Sequence, residues 1–108
     1  MSRSYKICYS TKAKNDLYEI YDYISQRLCA LQNAKNTIAK IVKEVRSLSF
    51  MPARYALLDR EPWKSLGLRK TKAGNFNIFY LIKERETTVF VTRVLFGGRD
   101  NQNIELAA

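Results

Sequence analysis

Two stretches in the first half of the chain carry apolar residues at the spacing of an α-helix. In the first, these residues follow at steps of four, three, four and four: Ala13, Leu17, Ile20, Ile24 and Leu28. In the second, they follow at steps of four, three, four and three: Ala34, Ile38, Ile41, Val45 and Leu48. Each set lines one face of a helix, and the short join between them predicts an antiparallel helical hairpin. Such a hairpin must bury its two apolar stripes against another layer.

Local signals indicate where the two predicted helices begin and end. Ser10 or Thr11 is expected to cap the first helix, because a hydroxyl oxygen can accept a hydrogen bond from the unpaired N–H groups of the first turn. Asp16 lies early in that helix, where the helix dipole favours acidic side chains. Asn33 is the predicted cap of the second helix, which must end before Pro52.

Four segments have the alternation and the β-forming composition of strands. One precedes the helices and three follow them, at residues 5–10, 65–72, 76–82 and 89–96. The last three are separated by short polar or glycine-containing segments at 73–75 and 83–86, which are natural hairpin turns. Short consecutive connections of this kind predict an antiparallel meander.

The predicted fold class is α+β. An N-terminal strand, an antiparallel helical hairpin and a three-stranded antiparallel meander form one mostly antiparallel sheet with the helices packed on one face. No repeat or linker interrupts the chain, so residues 1–108 are predicted to form a single domain. The strand at 76–82 is apolar on both faces apart from Asn77. The sheet face opposite the helices is therefore expected to be a shallow apolar groove or a surface that a partner covers.

Charge and missing residue types narrow the functional classes. Nineteen Lys and Arg against ten Asp and Glu give a net charge of +9, which favours nucleic acid, a ribonucleoprotein or an acidic protein as partner. The chain has no histidine, so it lacks the commonest general base and metal ligand. Cys8 and Cys29 are expected to be small core residues of a reduced protein. No apolar run is long enough to span a bilayer, and we expect a cytoplasmic protein that needs no metal or cofactor.

Basic residues of the predicted meander are the main candidate site. Three come from its first strand and two from its last strand and exit: Arg69, Lys70, Lys72, Arg93 and Arg99. We expect them to converge near one edge of the open face, where charge-assisted hydrogen bonds would hold an anionic partner. With RNA as substrate, the same cations would stabilise a phosphorane-like transition state. For Lys70 and Lys72, ordinary solvated surface charge is an equally good interpretation.

Arg93 and Phe96 stand out within the last predicted strand. Arg93 interrupts an apolar sequence, and an unpaired buried guanidinium costs several kcal/mol. We therefore expect an internal carboxylate partner, with Asp100 as the first candidate. Phe96 directly precedes two glycines, and its ring is expected either to pack in the core or to offer a stacking surface.

Short pieces along most of the chain match one protein family in order and spacing. They are residues 16–24 on the first helix, 41–52 on the second, 68–69, 79–80, and the Arg-Val-Leu-Phe-Gly-Gly-Arg-Asp sequence at 93–100. On these pieces the chain resembles the RelE/ParE superfamily of bacterial toxins over residues 5–106. The ending at 93–100 is more similar to that of the ParE-like branch.

The resemblance implies a toxin encoded beside its antitoxin, with an antitoxin segment wrapped around it. RelE-like members cut messenger RNA on the ribosome, whereas ParE-like members inhibit DNA gyrase and are not nucleases. The nuclease branch usually has arginine at the position of Asn77 and histidine or another polar residue near that of Phe96. Because Asn77 carries no charge and Phe96 cannot transfer a proton, these departures favour the gyrase-inhibiting branch.

The predicted function is the toxin of a type II toxin–antitoxin module that binds a macromolecular target, with DNA gyrase favoured. The expected target contacts are Arg69, Arg93, Phe96, Arg99 and Asp100, with Asp100 orienting an arginine. In the enzymatic alternative, a metal-independent endoribonuclease acting on ribosome-bound message, the transition state would be stabilised by Arg69, Lys70, Lys72, Arg93 and Arg99. The third alternative is a non-toxic remnant that only binds its antitoxin.

Overall fold

The computed structural model describes residues 4–97. The strands and α-helices follow along the chain in this order: β1 (Lys6–Tyr9), α1 (Thr11–Asp22), α2 (Leu31–Ser47), α3 (Trp63–Leu66), β2 (Arg69–Ala73), β3 (Phe76–Lys83) and β4 (Thr88–Phe96). A π-helical turn, Tyr23–Arg27, extends α1, and short 3-10 turns occupy Pro52–Arg54 and Glu84–Glu86.

The sheet order is β1-β4-β3-β2. Strands β2, β3 and β4 pair antiparallel in succession, which confirms the predicted meander. Strand β1 lies at the other edge and pairs parallel to β4, from Lys6 opposite Thr88 to Tyr9 opposite Val91. Both long helices contact the sheet on one face, so the predicted α+β class is correct.

The two predicted helices form, and one predicted cap is wrong. Ser10 caps α1, because its Oγ accepts a hydrogen bond from the Ala13 N–H at 2.9 Å. Asn33 does not cap α2, which begins at Leu31 with Ala30 in the cap position. The chain reverses at Cys29, whose φ of 51° is left-handed, so helical hydrogen bonding starts at once from the Ala30 carbonyl. Cys29 is consequently exposed, although the sequence predicted a core residue.

The helix-facing side of the sheet holds the main core. Ala13 of α1 and Ile41 and Val45 of α2 are fully buried against Ile78 and Val91 of the central strands. Fully burying a valine or isoleucine side chain stabilises a fold by roughly 1.5–3 kcal/mol, so this layer fixes the helical hairpin on the sheet.

Tyr80 closes the same core at the end of α2. Its ring packs with Leu48 and Val89, and its hydroxyl donates to the Pro52 carbonyl at 2.6 Å. Burial raises the pKa of the Tyr80 phenol to about 12, because the ionised form would lose its hydration. The hydrogen bond ties the segment after α2 to β3.

The chain itself covers part of the opposite sheet face, an outcome that differs from both sequence-based expectations. Residues 65–66, predicted to belong to a strand, lie in α3, which ends at Gly67 in a left-handed conformation of φ 85°. Strand β2 therefore begins only at Arg69. Leu58 and Trp63 from this segment pack on Leu68 and Phe79, which explains how the second face of β3 is buried without a partner protein. Within residues 4–97, no helix combines the length and apolarity needed to cross a membrane.

Candidate binding site

Arg93 and Asp16 form a bidentate ion pair beside strand β4. Arg93 Nε donates to Asp16 Oδ2 at 2.7 Å, and Nη2 donates to Oδ1 at 2.9 Å. The Val94 N–H also donates to Oδ2, at 2.9 Å. The exposed fraction is only 17% for the Arg93 side chain and 8% for Asp16, so water screens the pair poorly. One carboxylate thus binds a guanidinium and a backbone group of the same strand.

The connection between β1 and α1 places Asp16 at this point. Strand β1 ends at Tyr9, and Ser10 follows the edge of β4 by donating from its N–H to Val91 O at 2.8 Å and from its Oγ to Thr92 O at 2.7 Å. Because α1 begins at the next residue, its second turn lies over the part of β4 that β1 does not reach. Asp16 occupies that turn.

The internal partner predicted for Arg93 therefore exists, but the described carboxylate is Asp16, far from Arg93 in sequence. Asp100, the first candidate, lies outside the described residues. A signal was present in the sequence, because Asp16 follows Ala13 by three residues and precedes Ile20 by four. An acid within an apolar helical stripe indicates a buried partner, and the interpretation of Asp16 through the helix dipole did not use this signal.

Arg69 belongs to a different network. Its Nη1 donates to Tyr55 O at 2.6 Å and to Ala53 O at 3.4 Å, which fastens the segment after α2 to strand β2. Arg69 pairs across the ladder with Tyr80 on the helix-facing side. Its guanidinium thus supports the fold around the buried Tyr80.

The predicted cluster of cations does not converge. Lys70 and Lys72 are exposed and alternate with the buried Thr71 and Ala73, so they lie on the sheet face opposite Arg69. Arg93 lies on β4, with β3 between it and these residues. Arg99 lies outside the described residues. The described cations therefore occupy three separate places.

A groove of about 920 Å³ lies next to the ion pair, between the helical hairpin and the end of β4. Its walls are mostly apolar on the α1 side, with Ile20, Tyr23, Ile24 and Leu28. Phe96 lies at its rim with 45% of its surface exposed, and its ring contacts Phe76 edge-to-face at a centroid distance of 5.8 Å. Of the two expectations for Phe96, the structure favours the exposed contact surface.

Asn77 lies on β3 next to the end of β4 and is buried. Its Oδ1 accepts no hydrogen bond within residues 4–97. Gly97 passes close by, donating from its N–H to Asn75 O at 2.7 Å, and a Cβ added there would lie 3.4 Å from the Asn77 amide. The close approach of the backbone explains why a residue without a side chain follows Phe96. It also leaves Asn77 shielded from solvent.

The site has the chemistry of a binding surface. The side chains nearest the end of β4 are a paired aspartate, a paired arginine, an amide and aromatic rings. Among residues 4–97, no three Asp, Glu or Cys side chains lie together as metal ligands. Apolar contact and the backbone edge of β4 are what this region offers a partner.

A comparison with protein families assigns the chain. Residues 7–101 match the family described as the ParE toxin of the type II toxin–antitoxin system parDE. The chain belongs to the ParE toxin family. A comparison of the ParE-family chain with curated protein sequences finds no match.

Solved structures share the fold of this ParE-family chain. The toxin–antitoxin complex RelBE2 from Mycobacterium tuberculosis is 25% identical with a TM-score of 0.64, covering 87% of this chain and 92% of that one. The chromosomal ParDE system from P. aeruginosa is 22% identical with a TM-score of 0.70, covering 86% and 96%. The isolated E. coli RelE toxin is 15% identical with a TM-score of 0.50, covering 90% and 88%. The RelE/ParE fold predicted from the sequence is therefore confirmed.

Proposed function

We propose that this toxin arrests growth by binding DNA gyrase, and that a cognate antitoxin neutralises it. The observation that carries the proposal is the bidentate pair between Arg93 and Asp16. A guanidinium held by an internal carboxylate at 2.7 Å is a poor ligand for a scissile phosphate, since the phosphate would have to displace the aspartate. The strand end is thus suited to contact rather than to phosphoryl chemistry.

The remaining candidate residues support binding over RNA cleavage. Arg69 is engaged with two backbone carbonyls. Lys70 and Lys72 point to the sheet face opposite that of Arg69. Stabilising a phosphorane requires several donors around one phosphate, which these positions do not supply. Phe96 offers exposed apolar surface and is the described residue that we expect to contact the target most directly. Arg99 and Asp100, which lie outside the described residues, stay part of the proposed contact surface.

The proposed antitoxin partner rests on charge and on the relatives. RelBE2 and ParDE are named as a toxin–antitoxin complex and a toxin–antitoxin system. The +9 charge of this chain favours an acidic partner, and the apolar groove beside Phe96 is a surface that a partner can bury.

Two purified assays on the same toxin preparation test the proposed target. We expect the toxin to inhibit ATP-dependent supercoiling of relaxed plasmid by DNA gyrase and to leave message on translating ribosomes intact. Cleaved message with unchanged supercoiling would replace the proposal by the endoribonuclease. If neither assay responds and induced expression does not slow growth, the chain is a non-toxic antitoxin-binding protein.

Co-expression with the adjacent reading frame tests the antitoxin. We expect the two products to co-purify at about 0.5 M salt, because buried apolar contacts survive at ionic strengths that screen surface charge. If the two products separate under these conditions, the proposed antitoxin partnership is wrong.

A further inference from the structure

A basic cleft lies between helix α2 and the end of strand β2. Its volume is about 350 Å³, and it is lined by Lys40 and Lys43 of α2 and by Lys72 of β2, which is an edge strand. Lys40 and Lys43 are three residues apart, so they lie on the same side of the helix. All three lysines are exposed. Two elements of secondary structure thus place three ammonium groups around one opening, which we call the lysine cleft.

The positive charge of the lysine cleft is not neutralised locally. Glu44, the acid that lines it, accepts hydrogen bonds from the hydroxyls of Thr71 at 2.7 Å and Tyr55 at 3.0 Å. Within residues 4–97, none of the three lysines forms an ion pair. Three ammonium groups therefore face one carboxylate that is already engaged by two hydroxyls, and the cleft keeps a net positive charge.

The other side chains of the cleft are small. It is also lined by Ser47, Ala73 and Gly74, and a Cβ added at Gly74 would meet nothing within 4 Å, so the cleft is open at the β2–β3 turn. Protein interfaces are anchored by aromatic or large apolar side chains and are depleted in lysine. Pockets for small molecules are mostly apolar and enclose their ligand. Nucleic-acid interfaces are instead polar and strongly positive, which is the composition of this surface.

We propose that the lysine cleft binds the phosphodiester backbone of duplex DNA while the toxin is bound to gyrase. Ammonium groups bind phosphate oxygens as point charges, so the contact is independent of base sequence. Lys40 lines both the cleft and the groove beside Phe96, which places DNA and the protein target on adjoining surfaces. The choice of DNA over RNA rests on the gyrase target proposed above, because gyrase acts on duplex DNA.

Fluorescence anisotropy with a short labelled DNA duplex tests the cleft on the purified toxin alone. We expect the logarithm of the association constant to fall with the logarithm of the salt concentration with a slope of about −3, because three phosphates exchange counterions for lysines. A variant that combines Lys40→Gln, Lys43→Gln and Lys72→Gln should bind at least about tenfold more weakly at about 0.1 M salt.

The matched control removes three lysines that are exposed and line neither cavity: Lys6→Gln, Lys14→Gln and Lys35→Gln combined. Both triple variants lose the same net charge, so a general effect of charge weakens them equally. We expect the control to keep most of the affinity and the slope of the wild type. Equal loss of duplex binding by the two triple variants would overturn the proposal.

Glu44→Gln tests the cleft by a gain of affinity, which a folding defect cannot imitate. The amide oxygen still accepts from Thr71 and Tyr55, but the negative charge beside the lysines is gone. We expect about threefold tighter duplex binding at low salt. Unchanged affinity would show that no phosphate lies in the cleft.

Two competing ligands have distinct outcomes. Single-stranded RNA of the same length should bind about tenfold more weakly than the duplex, because its charge density is lower. If the cleft variant loses affinity for this RNA but not for the duplex, the cleft binds message. If it loses affinity for the product of the adjacent reading frame while duplex binding persists, the cleft binds an acidic protein. Either result would overturn the assignment to DNA.

Supercoiling inhibition separates this inference from the proposed target. We expect half-maximal inhibition of gyrase to need about tenfold more of the cleft variant than of the control variant, in proportion to the lost duplex affinity. Equal inhibition by the two variants would refute the DNA contact and leave gyrase as the target. Absent inhibition by the wild type, together with lysine-dependent duplex binding, would instead reject gyrase and leave the cleft as a DNA-binding surface.

Discussion

The two halves of strand β4 have similar sequences and different surroundings. In the first half, Val89 and Val91 are fully buried, and β1 and β3 pair with the backbone on both sides. In the second half, β3 still pairs on one side, and on the other side, within residues 4–97, the Asp16 carboxylate accepts from the Val94 N–H in the place of β1. Phe96 at the end of this half is 45% exposed. One strand thus changes from core to surface within a few residues.

The change occurs where β1 ends and α1 begins. A register irregularity at Phe79 and Tyr80 accompanies it, with Thr92 inserted between the residues that pair with them. Extra residues of this kind twist a strand and redirect its side chains, which brings Arg93 to the edge where Asp16 can reach it. The first half of β4 therefore stabilises the fold, and the second half carries the proposed contact surface.

Removing Asp16 is expected to have the largest effect on stability. Asp16→Ala leaves a guanidinium and the Val94 N–H without their acceptor in a largely buried place, which we expect to cost about 3 kcal/mol. Urea unfolding of the purified toxin measures this loss. Glu19→Ala, an exposed acid on the same helix, should change stability by less than about 0.5 kcal/mol.

A double-mutant cycle checks that the Asp16 effect comes from the ion pair. Asp16→Ala combined with Arg93→Ala should cost less than the sum of the single changes, because the second removes the charge that the first leaves unpaired. Additive losses would show that Asp16 and Arg93 are not coupled and that other contacts stabilise the second half of β4.

High pH is expected to destabilise the fully paired half through Tyr80, which lies opposite Val91. Below pH 10 both folded and unfolded states keep the phenol largely protonated, so Tyr80 contributes little pH dependence to the stability there. Because burial raises the folded pKa to about 12, the unfolded state releases its proton first as pH rises from 10 to 12. Stability should fall there by on the order of 2–3 kcal/mol.

Tyr80→Phe provides the control for this pH dependence. The variant lacks the hydrogen bond to Pro52 O, so it should start about 1 kcal/mol less stable at pH 8. It should then lose less stability than the wild type between pH 10 and 12 in urea unfolding. Parallel curves for the two proteins would contradict the raised pKa of Tyr80.

Truncating one side chain in each half separates folding from binding. Val91→Ala removes fully buried methyl groups and should cost about 2 kcal/mol in the free energy of unfolding. Phe96→Ala should cost under about 1 kcal/mol, because the ring is already half solvated, yet it should weaken antitoxin binding measured by calorimetry. A greater loss of stability from Phe96→Ala would mean that the ring belongs to the core.

Gly97→Ala should have a small effect. The added Cβ would lie 3.1 Å from Asn75 O, a backbone atom in the β2–β3 turn that also accepts the Gly97 N–H. The turn must shift slightly, which we expect to cost about 1 kcal/mol in thermal unfolding. An unchanged melting temperature would show that the turn adapts freely.

The sequence was sufficient for the helices and the meander, since their apolar periods and turn residues are local signals. It was insufficient for the place of β1, because parallel pairing with β4 joins segments about eighty residues apart without a turn signal. The helical conformation of 65–66 was missed because its cause is local backbone geometry at Gly67 rather than periodicity.

The candidate site was predicted only in part, for a similar reason. The need of Arg93 for a partner follows from burial and was predictable, whereas the choice of Asp16 depends on how α1 crosses the sheet edge. The convergence of the cations failed because Arg69 and Lys70 are adjacent in sequence and therefore point to opposite faces of the sheet.

Growth on induced expression tests most directly whether the exposed end of β4 is the functional surface. The measurement compares the wild type with Phe96→Asp and with Leu57→Asp, which places the same charge on another exposed apolar residue. With equal soluble levels, we predict arrest by the wild type and by Leu57→Asp, and continued growth with Phe96→Asp. Equal arrest by all three proteins would contradict the account.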